Sequence, residues 1–309
     1  MSAPHRAPSP PPFPEAWPPE YLALAQSLGP RSPLLRLGTP HPSEADPDPE
    51  ALADPTAEAR FTPVPFVVRK HPDRAVVLAT SACFFYCRFC FRRGTPPGEA
   101  REPSEVDWER VFRWLEGEPE VEEVILSGGD PLTLSDERLA QVGRRLAGLP
   151  HLRRWRLHTR APVVAPARVT ARLVAALASV PLPLRVVVHA AHPAEVRPAF
   201  VEAVARLQGA GIPVLDQTVL LAGVNDDPAV LADLFTRLGA AGVEPYYLHH
   251  PDPAPGNARF RVTPARGLAL CREAEALLGR PLPPYVIDLP DGSGKVRVED
   301  AGHSGCLRR

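Results

Sequence analysis

The sequence predicts an α/β protein whose parallel strands curl into an open or partial barrel of six βα units. Two features predict it. From Ala75 onward, short runs rich in β-branched residues alternate with amphipathic stretches of helical period, the pattern that βαβ units produce. Polar residues then gather just after those runs, where a parallel sheet keeps its chemistry. Six units fall short of the eight that close a TIM barrel.

The expected strands are AVVLAT at 75–80, EEVILS at 122–127, RWRLHT at 154–159, LRVVVH at 184–189, VLDQTVLL at 214–221 and EPYYLH at 244–249. Between and after them read the helices EVDWERVFRWLEGE, SDERLAQVGRRLAGL, TARLVAALASV, AFVEAVARLQGAG and AVLADLFTRLGAAG. Ser135 and Thr170 stand at N-cap positions, and Gly211 and Gly242 where helices should stop. The strand-end rule selects Ser81–Cys90, Ser127–Asp130, Thr159–Arg160, His189, Gln217 and His249–Asp252. Upstream, residues 1–20 and 38–65 are rich in proline, with room between them for a short helix over Glu20–Leu28. Residues 1–65 are therefore expected to form a loosely structured extension around a core at 66–250, with 251–309 as a C-terminal segment.

Composition excludes some functions. A net charge of −1 over 309 residues gives no global pull toward nucleic acid or an anionic membrane. No apolar run approaches the roughly 20 residues of a membrane helix, and MSAPHRAPSPPPFPEAWPPE lacks the apolar core of a signal peptide. A cytoplasmic protein is expected. In a reducing compartment, three cysteines crowded between 83 and 90 suggest a metal site rather than a disulfide framework.

Cys83, Cys87 and Cys90 have the spacing C-x3-C-x2-C and directly follow the first expected strand. Three thiolates in one loop can hold three corners of a [4Fe–4S] cube, leaving one iron without a protein ligand. S-adenosylmethionine (SAM) can chelate that iron through its amine and carboxylate, and one electron from the cluster then cleaves it. A zinc site short of one ligand, or three structural thiols, are the bland alternatives. Cys271 and Cys306 lack nearby partners and read as incidental thiols. Ser127-Gly128-Gly129-Asp130 ends the second expected strand, and its paired glycines let backbone approach a ligand closely, a seat for the SAM amino group.

Only Lys70 and Lys295 among the 35 basic residues are lysine. Lys295 closes the Gly-rich segment DLPDGSGK, where a Schiff-base lysine could reach a pocket and swing away. A solvated tail lysine is the competing reading.

The stretch from about Asp54 to Val298 resembles the lysine 2,3-aminomutase family of radical SAM enzymes. The matching segments are HPDRAVVLATSACFFYCRFCFRRG, LSGGDPL, RAPVVAPARVT, GIPVLDQTVLLAGVND, EPYYLHHPD with GNARFRVTP, and DLPDGSGK, in that order. The resemblance implies a partial (β/α)6 radical SAM barrel ending in a short segment that carries the lysine for pyridoxal 5′-phosphate (PLP). It implies that Lys295 bears PLP, that Lys70 and Arg74 meet its phosphate, and that Arg92 pairs with the substrate carboxylate. Asp252 and Asp288 would grip the ε-ammonium of L-lysine, converging opposite Arg92. His189 and Gln217 would sit near SAM, with a structurally satisfied histidine as the rival for His189. The activity implied is transfer of the α-amino group of L-lysine from C2 to C3, giving β-lysine, with an electron donor serving the cluster.

Departures from the family accompany the match. The fermentative enzymes build a zinc site from a cysteine after the GVND segment and three more in a C-terminal extension. Asp227 stands at the first of these positions, and only Cys306 lies in the fourteen residues after Lys295. No zinc is therefore expected. In this the chain resembles the shorter branch that supplies β-lysine for modification of elongation factor P, whereas DLPDGSGK is closer to the longer branch. The same chemistry on arginine or glutamate, a radical SAM enzyme without PLP, and a non-enzymatic Fe–S module remain as rivals.

Overall fold

The computed structural model describes residues 13–93, 102–289, 291–292 and 294–301. In chain order they form α1 (Pro19–Ser27), α2 (Pro33–Gly38), β1 (Val67–His71), β2 (Arg74–Thr80), α3 (Glu105–Glu116), β3 (Glu123–Gly128), α4 (Asp136–Ala147), β4 (Arg154–Thr159), α5 (Ala161–Val164) and α6 (Ala171–Ala178). These are followed by β5 (Leu184–Val188), α7 (Pro198–Gly209), β6 (Val214–Val219), α8 (Pro228–Ala240), β7 (Glu244–His249), α9 (Pro264–Leu278), β8 (Tyr285–Asp288), β9 (Lys295–Arg297) and α10 (Val298–Ala301).

One sheet takes all nine strands in sequence order. Strands β2 to β8 run parallel, and β1 and β9 add antiparallel edges. The six expected strands form within two residues of their predicted limits. Ser135 and Thr170 cap α4 and α6, accepting hydrogen bonds from Arg138 N and Leu173 N at 3.1 Å each, and Gly211 and Gly242 take left-handed φ just past α7 and α8. A seventh unit, α9 and β8, went unforeseen. PLPPYVIDLP is too proline-laden to read as a strand, yet its apolar centre pairs with β7 on one side and β9 on the other. Lys295, expected in a loop, is the first residue of β9 and sits opposite Asp288 in the antiparallel register.

Side chains alternate across each strand. One set packs under the helices, as Trp155 and Leu157 do against the α4 side chains Leu139, Val142 and Leu146 in one continuous core. The other set faces the concave side. Arg156 and His158 of β4, Gln217 and Val219 of β6, and Tyr247 and His249 of β7 all line one cavity there.

The N-terminal region differs from expectation. Residues 1–12 lie outside the described residues, but Tyr21, Ala25, Leu34 and Leu37 are completely buried in the main core. The segment is built into the domain because the cysteine loop needs a partner. Phe85 of that loop packs edge-on against Trp17 and Tyr21, with centroids 4.8 and 5.0 Å apart. Arg88, buried between two of the cysteines, donates to the carbonyls of Phe13 and Pro14 at 3.0 and 2.7 Å and pairs with Glu44.

The other side of the loop rests on the turn after β3. Gly129 N and Asp130 N donate to the carbonyls of Thr80 and Ala82 at 2.6 and 2.7 Å. A Cβ on Gly129 would lie 2.6 Å from the Ser81 carbonyl carbon and closer still to the Ala82 oxygen. Gly129 thus permits a close approach to the cysteine loop's backbone, and Gly128 one to the end of β2.

Two stability changes are expected. Leu34→Ala should cost about 2–5 kcal/mol in chemical denaturation, as for a buried core leucine; a neutral result would return this segment to a dispensable wrap. Gly129→Ala should cost about 1–3 kcal/mol through forced backbone movement and lower the iron bound on anaerobic reconstitution.

Candidate active site

A cavity of about 460 Å3 opens on the concave face of the sheet. Its walls include Cys87, Cys90, Arg92, Ser127, His189, Gln217, Asp252, Asp288, Lys295, Lys70 and Arg74. Eleven of the residues singled out in the sequence thus meet in one place. Cys83 belongs to the same loop, and Gly128, Gly129 and Asp130 follow directly on Ser127 of the wall.

The Arg160 guanidinium donates to Cys87 Sγ at 2.9 Å, and the nearby backbone of Asp130 and Arg92 favours the thiolate forms of Cys83 and Cys90. Burial pushes all three thiols up, Cys90 to about 11. Among the described residues no three His, Cys, Asp or Glu side chains converge on one point as ligands of a single ion would. Three thiols that bind different irons of a cube need no such convergence.

Asp130 has a bracing part. Its carboxylate accepts from Thr159 Oγ1 at 2.6 Å, Arg160 N at 2.9 Å and Leu132 N at 3.0 Å, tying the ends of β3 and β4 together. Gly128 offers its carbonyl to Arg92 Nη1 at 3.5 Å, beside Ser127 Oγ at 3.3 Å.

Arg92 is held sideways. Glu58 accepts from its Nε at 2.9 Å and Nη2 at 2.6 Å. That bidentate pair occupies one edge of the fork; the Nη1/Nη2 edge carries only the longer contacts of Nη1 to Ser127 and Gly128, which an anion can displace. Asp252 lines the same cavity and interacts electrostatically with Arg92, Glu58, Asp288 and Lys295. Burial, reinforced by Asp288, pushes its carboxyl up to about 7.

Lys295 Nζ donates to Asp288 Oδ2 at 2.6 Å, lies 3.5 Å from His249 Nδ1 and sits 5.6 Å from the Tyr247 ring centroid. Lys70 donates to the Thr56 carbonyl, and Arg74 grips Asp73 at 3.0 and 3.1 Å.

Three histidines complete the walls. Burial pushes His158 down to about 3 and His189 and His249 well below their usual value, so all three rings are neutral. Their Nε2 atoms are buried without a protein partner. His158 Nδ1 faces Gln217 Nε2 at 3.3 Å and His249 Nδ1 faces the Lys295 ammonium. With those donors at Nδ1, each of these two rings carries its hydrogen at Nε2 and offers it to the cavity. Such orphaned donors, a lysine amine and a guanidinium edge held only by long contacts fit an anionic cofactor and an amino-acid carboxylate.

Glu58, His71, Arg156, His158, Tyr246 and Tyr247 also line the cavity without having been singled out. Arg156 and His158 did carry a signal. A strand of a covered parallel sheet reads apolar throughout, so polar residues at alternate positions of RWRLHT mark an inward, solvated face. Glu58 carried none, because its segment showed no periodicity.

Residues 77–235 match the radical SAM superfamily. The chain is 36% identical over 267 residues to the L-lysine 2,3-aminomutase of Escherichia coli, covering 86% of this chain and 78% of that protein. Against the L-lysine 2,3-aminomutase of Clostridium subterminale the identity is 34% over 285 residues, covering 91% and 67%. A radical SAM methyltransferase from Sphaerobacter thermophilus superposes with a TM-score of 0.51 at 20% identity over 71% of this chain and 68% of that one, a likeness of fold. With an iron–sulfur-type cysteine loop at the mouth of a partial barrel and relatives of this identity over most of its length, the chain belongs to the lysine 2,3-aminomutase family of the radical SAM superfamily and is a radical SAM aminomutase.

Proposed function

We propose that this aminomutase acts on L-lysine with PLP, moving the α-amino group from C2 to C3 to give β-lysine. The observation that carries the reading is the pairing of Lys295 with Asp288 inside the cavity that also holds Cys87, Cys90, Arg92 and Asp252. Cys83, Cys87 and Cys90 would hold the cluster, and Ser127, Gly128, Gly129, Asp130, His189 and Gln217 would lie toward SAM, with Gly129 and Asp130 also setting the cysteine loop. Lys295 would hold PLP, with Lys70 and Arg74 toward its phosphate. When bound, these groups supply a one-electron cleavage of SAM that abstracts hydrogen, and a carbonyl that holds the migrating nitrogen.

The chain's own residues then position the substrate. Arg92, fixed by Glu58, presents its remaining edge to the amino-acid carboxylate. Asp252 and Asp288 lie close enough to repel, and burial makes two adjacent carboxylates costly without a cation. A lysine ε-ammonium supplies that cation. Glutamate would add a negative charge to the same place, which disfavours it, and arginine is the nearest competitor. The neutral rings of His158 and His249 offer N–H donors without adding positive charge that would repel the ammonium.

Incubation with PLP followed by borohydride should leave the cofactor on a peptide containing Lys295, and Lys295→Ala should abolish that label while iron content is unchanged. Labelling of Lys70 instead would make the cofactor assignment wrong.

The acid pair also sets a pH dependence. Below about pH 7 Asp252 holds a proton in the free enzyme, which an incoming ammonium must displace. Hence kcat/KM for L-lysine should fall as pH drops through this range and recover above it. Asp252→Asn should lose that limb and run on the order of 100-fold lower above pH 7. An identical acid limb in the variant would remove Asp252 from substrate binding.

A further inference from the structure

Behind the cysteine loop, away from the cavity, a buried ion pair joins the loop to the N-terminal helix. Arg160 follows β4, and its backbone N–H is anchored on Asp130 at 2.9 Å. Every branch of its guanidinium has a partner: Nε donates to the His189 carbonyl at 3.2 Å, Nη1 to Cys87 Sγ at 2.9 Å and Nη2 to Glu195 Oε1 at 2.7 Å. Phe85 and Phe89 flank the charge, with ring centroids 5.1 and 5.8 Å from the guanidinium carbon. Glu195 is completely buried and also accepts from Ala191 N at 2.5 Å, His192 N at 3.0 Å and the hydroxyl of Tyr21 on α1. A continuous chain of charge-assisted hydrogen bonds thus runs from Cys87 through Arg160 and Glu195 to Tyr21.

We propose that Arg160 is a positioning residue that sets how readily the cluster accepts its electron, with Glu195 and Tyr21 trimming its effect from behind. This rests on the reading of Cys87 as a cluster ligand. The donor to Cys87 is a side chain, so this contact can be adjusted without moving backbone. A donor to a ligating sulfur withdraws electron density from it, and a buried positive charge stabilises the added electron; both favour the reduced cluster. Glu195 opposes that effect, and the Tyr21 hydroxyl weakens the opposition by sharing the carboxylate's charge. The step being tuned takes one electron from an external reductant into the oxidised cluster; no bond to Arg160 forms or breaks.

The signs separate this part from mere scaffolding. Arg160→Gln should shift the midpoint potential of the reconstituted cluster negative, so that the reduced fraction at a fixed low reductant potential falls on the order of tenfold, about 59 mV for one electron. Glu195→Gln should shift it positive. Tyr21→Phe, which keeps the ring packing and the Arg160–Glu195 pair, should shift it negative by less, and it serves where the charge variants fail to fold. The measurement is an EPR-monitored redox titration of the full-length reconstituted protein without SAM, with iron counted in each sample. A negative shift for Arg160→Gln with a positive one for Glu195→Gln, or a negative shift for Tyr21→Phe, supports the proposal, and the reverse signs would overturn it. Wild-type potentials in variants that carry a full cluster, or shifts of one sign in both charge variants, would overturn it. A wild-type protein that takes up no cluster would overturn the ligand reading itself, a distinguishable failure.

Discussion

The cysteine loop must hold three half-buried thiols at fixed positions while contributing no regular secondary structure of its own. Residues 83–90 solve this by being gripped from two sides. On one side the glycine turn after β3 lies so close that a side chain on Gly129 would meet loop backbone. On the other, Phe85 and Arg88 reach into the N-terminal segment, whose aromatic rings and carbonyls receive them. Loop backbone that cannot pair within a ladder needs partners elsewhere, and here those partners come from distant parts of the chain. The burial of α1 and α2 and the brace at Asp130 follow from that one requirement.

Electrostatics in the cavity complement this rigidity. Arg92, Lys295, Lys70 and Arg74 bring positive charge, and Glu58, Asp252 and Asp288 bring negative charge to the same walls. Two of the pairs are made within the protein: Glu58 with Arg92 and Asp288 with Lys295. Asp252 is left between them with its carboxyl raised. A zwitterionic substrate with a cationic side chain suits this arrangement, since its carboxylate meets the Nη1/Nη2 edge of Arg92 and its ammonium relieves the crowding of acids. Neutral imidazoles fill the remaining wall because burial beside cations disfavours their protonation.

The sheet was legible because β-branched runs and amphipathic helices alternate with little interruption from Ala75 to Gly242, and the caps at Ser135 and Thr170 act locally. The cysteine spacing was legible for the same reason: its ligands are neighbours in sequence. What escaped depends on contacts distant in sequence. β8 is a four-residue run flanked by prolines and finds its place only through β7 and β9. The N-terminal segment lacks a period of its own and is ordered by the loop it grips. Glu58 meets Arg92 across 34 positions and Tyr21 meets Glu195 across 174, so no local pattern could announce either pair. Gly128 and Gly129 were visible as special, but their partner was the protein's own backbone, which only the folded chain reveals.

The central claim is that SAM cleavage in this cavity serves migration of an amino group along L-lysine. Its most direct test follows the nitrogen itself. Anaerobically reconstituted protein, given SAM, PLP, a low-potential reductant and L-lysine labelled with 15N at the α-amino group, should yield β-lysine with the label on C3, as read by NMR and mass spectrometry. Label remaining on C2 while 5′-deoxyadenosine accumulates would contradict the account.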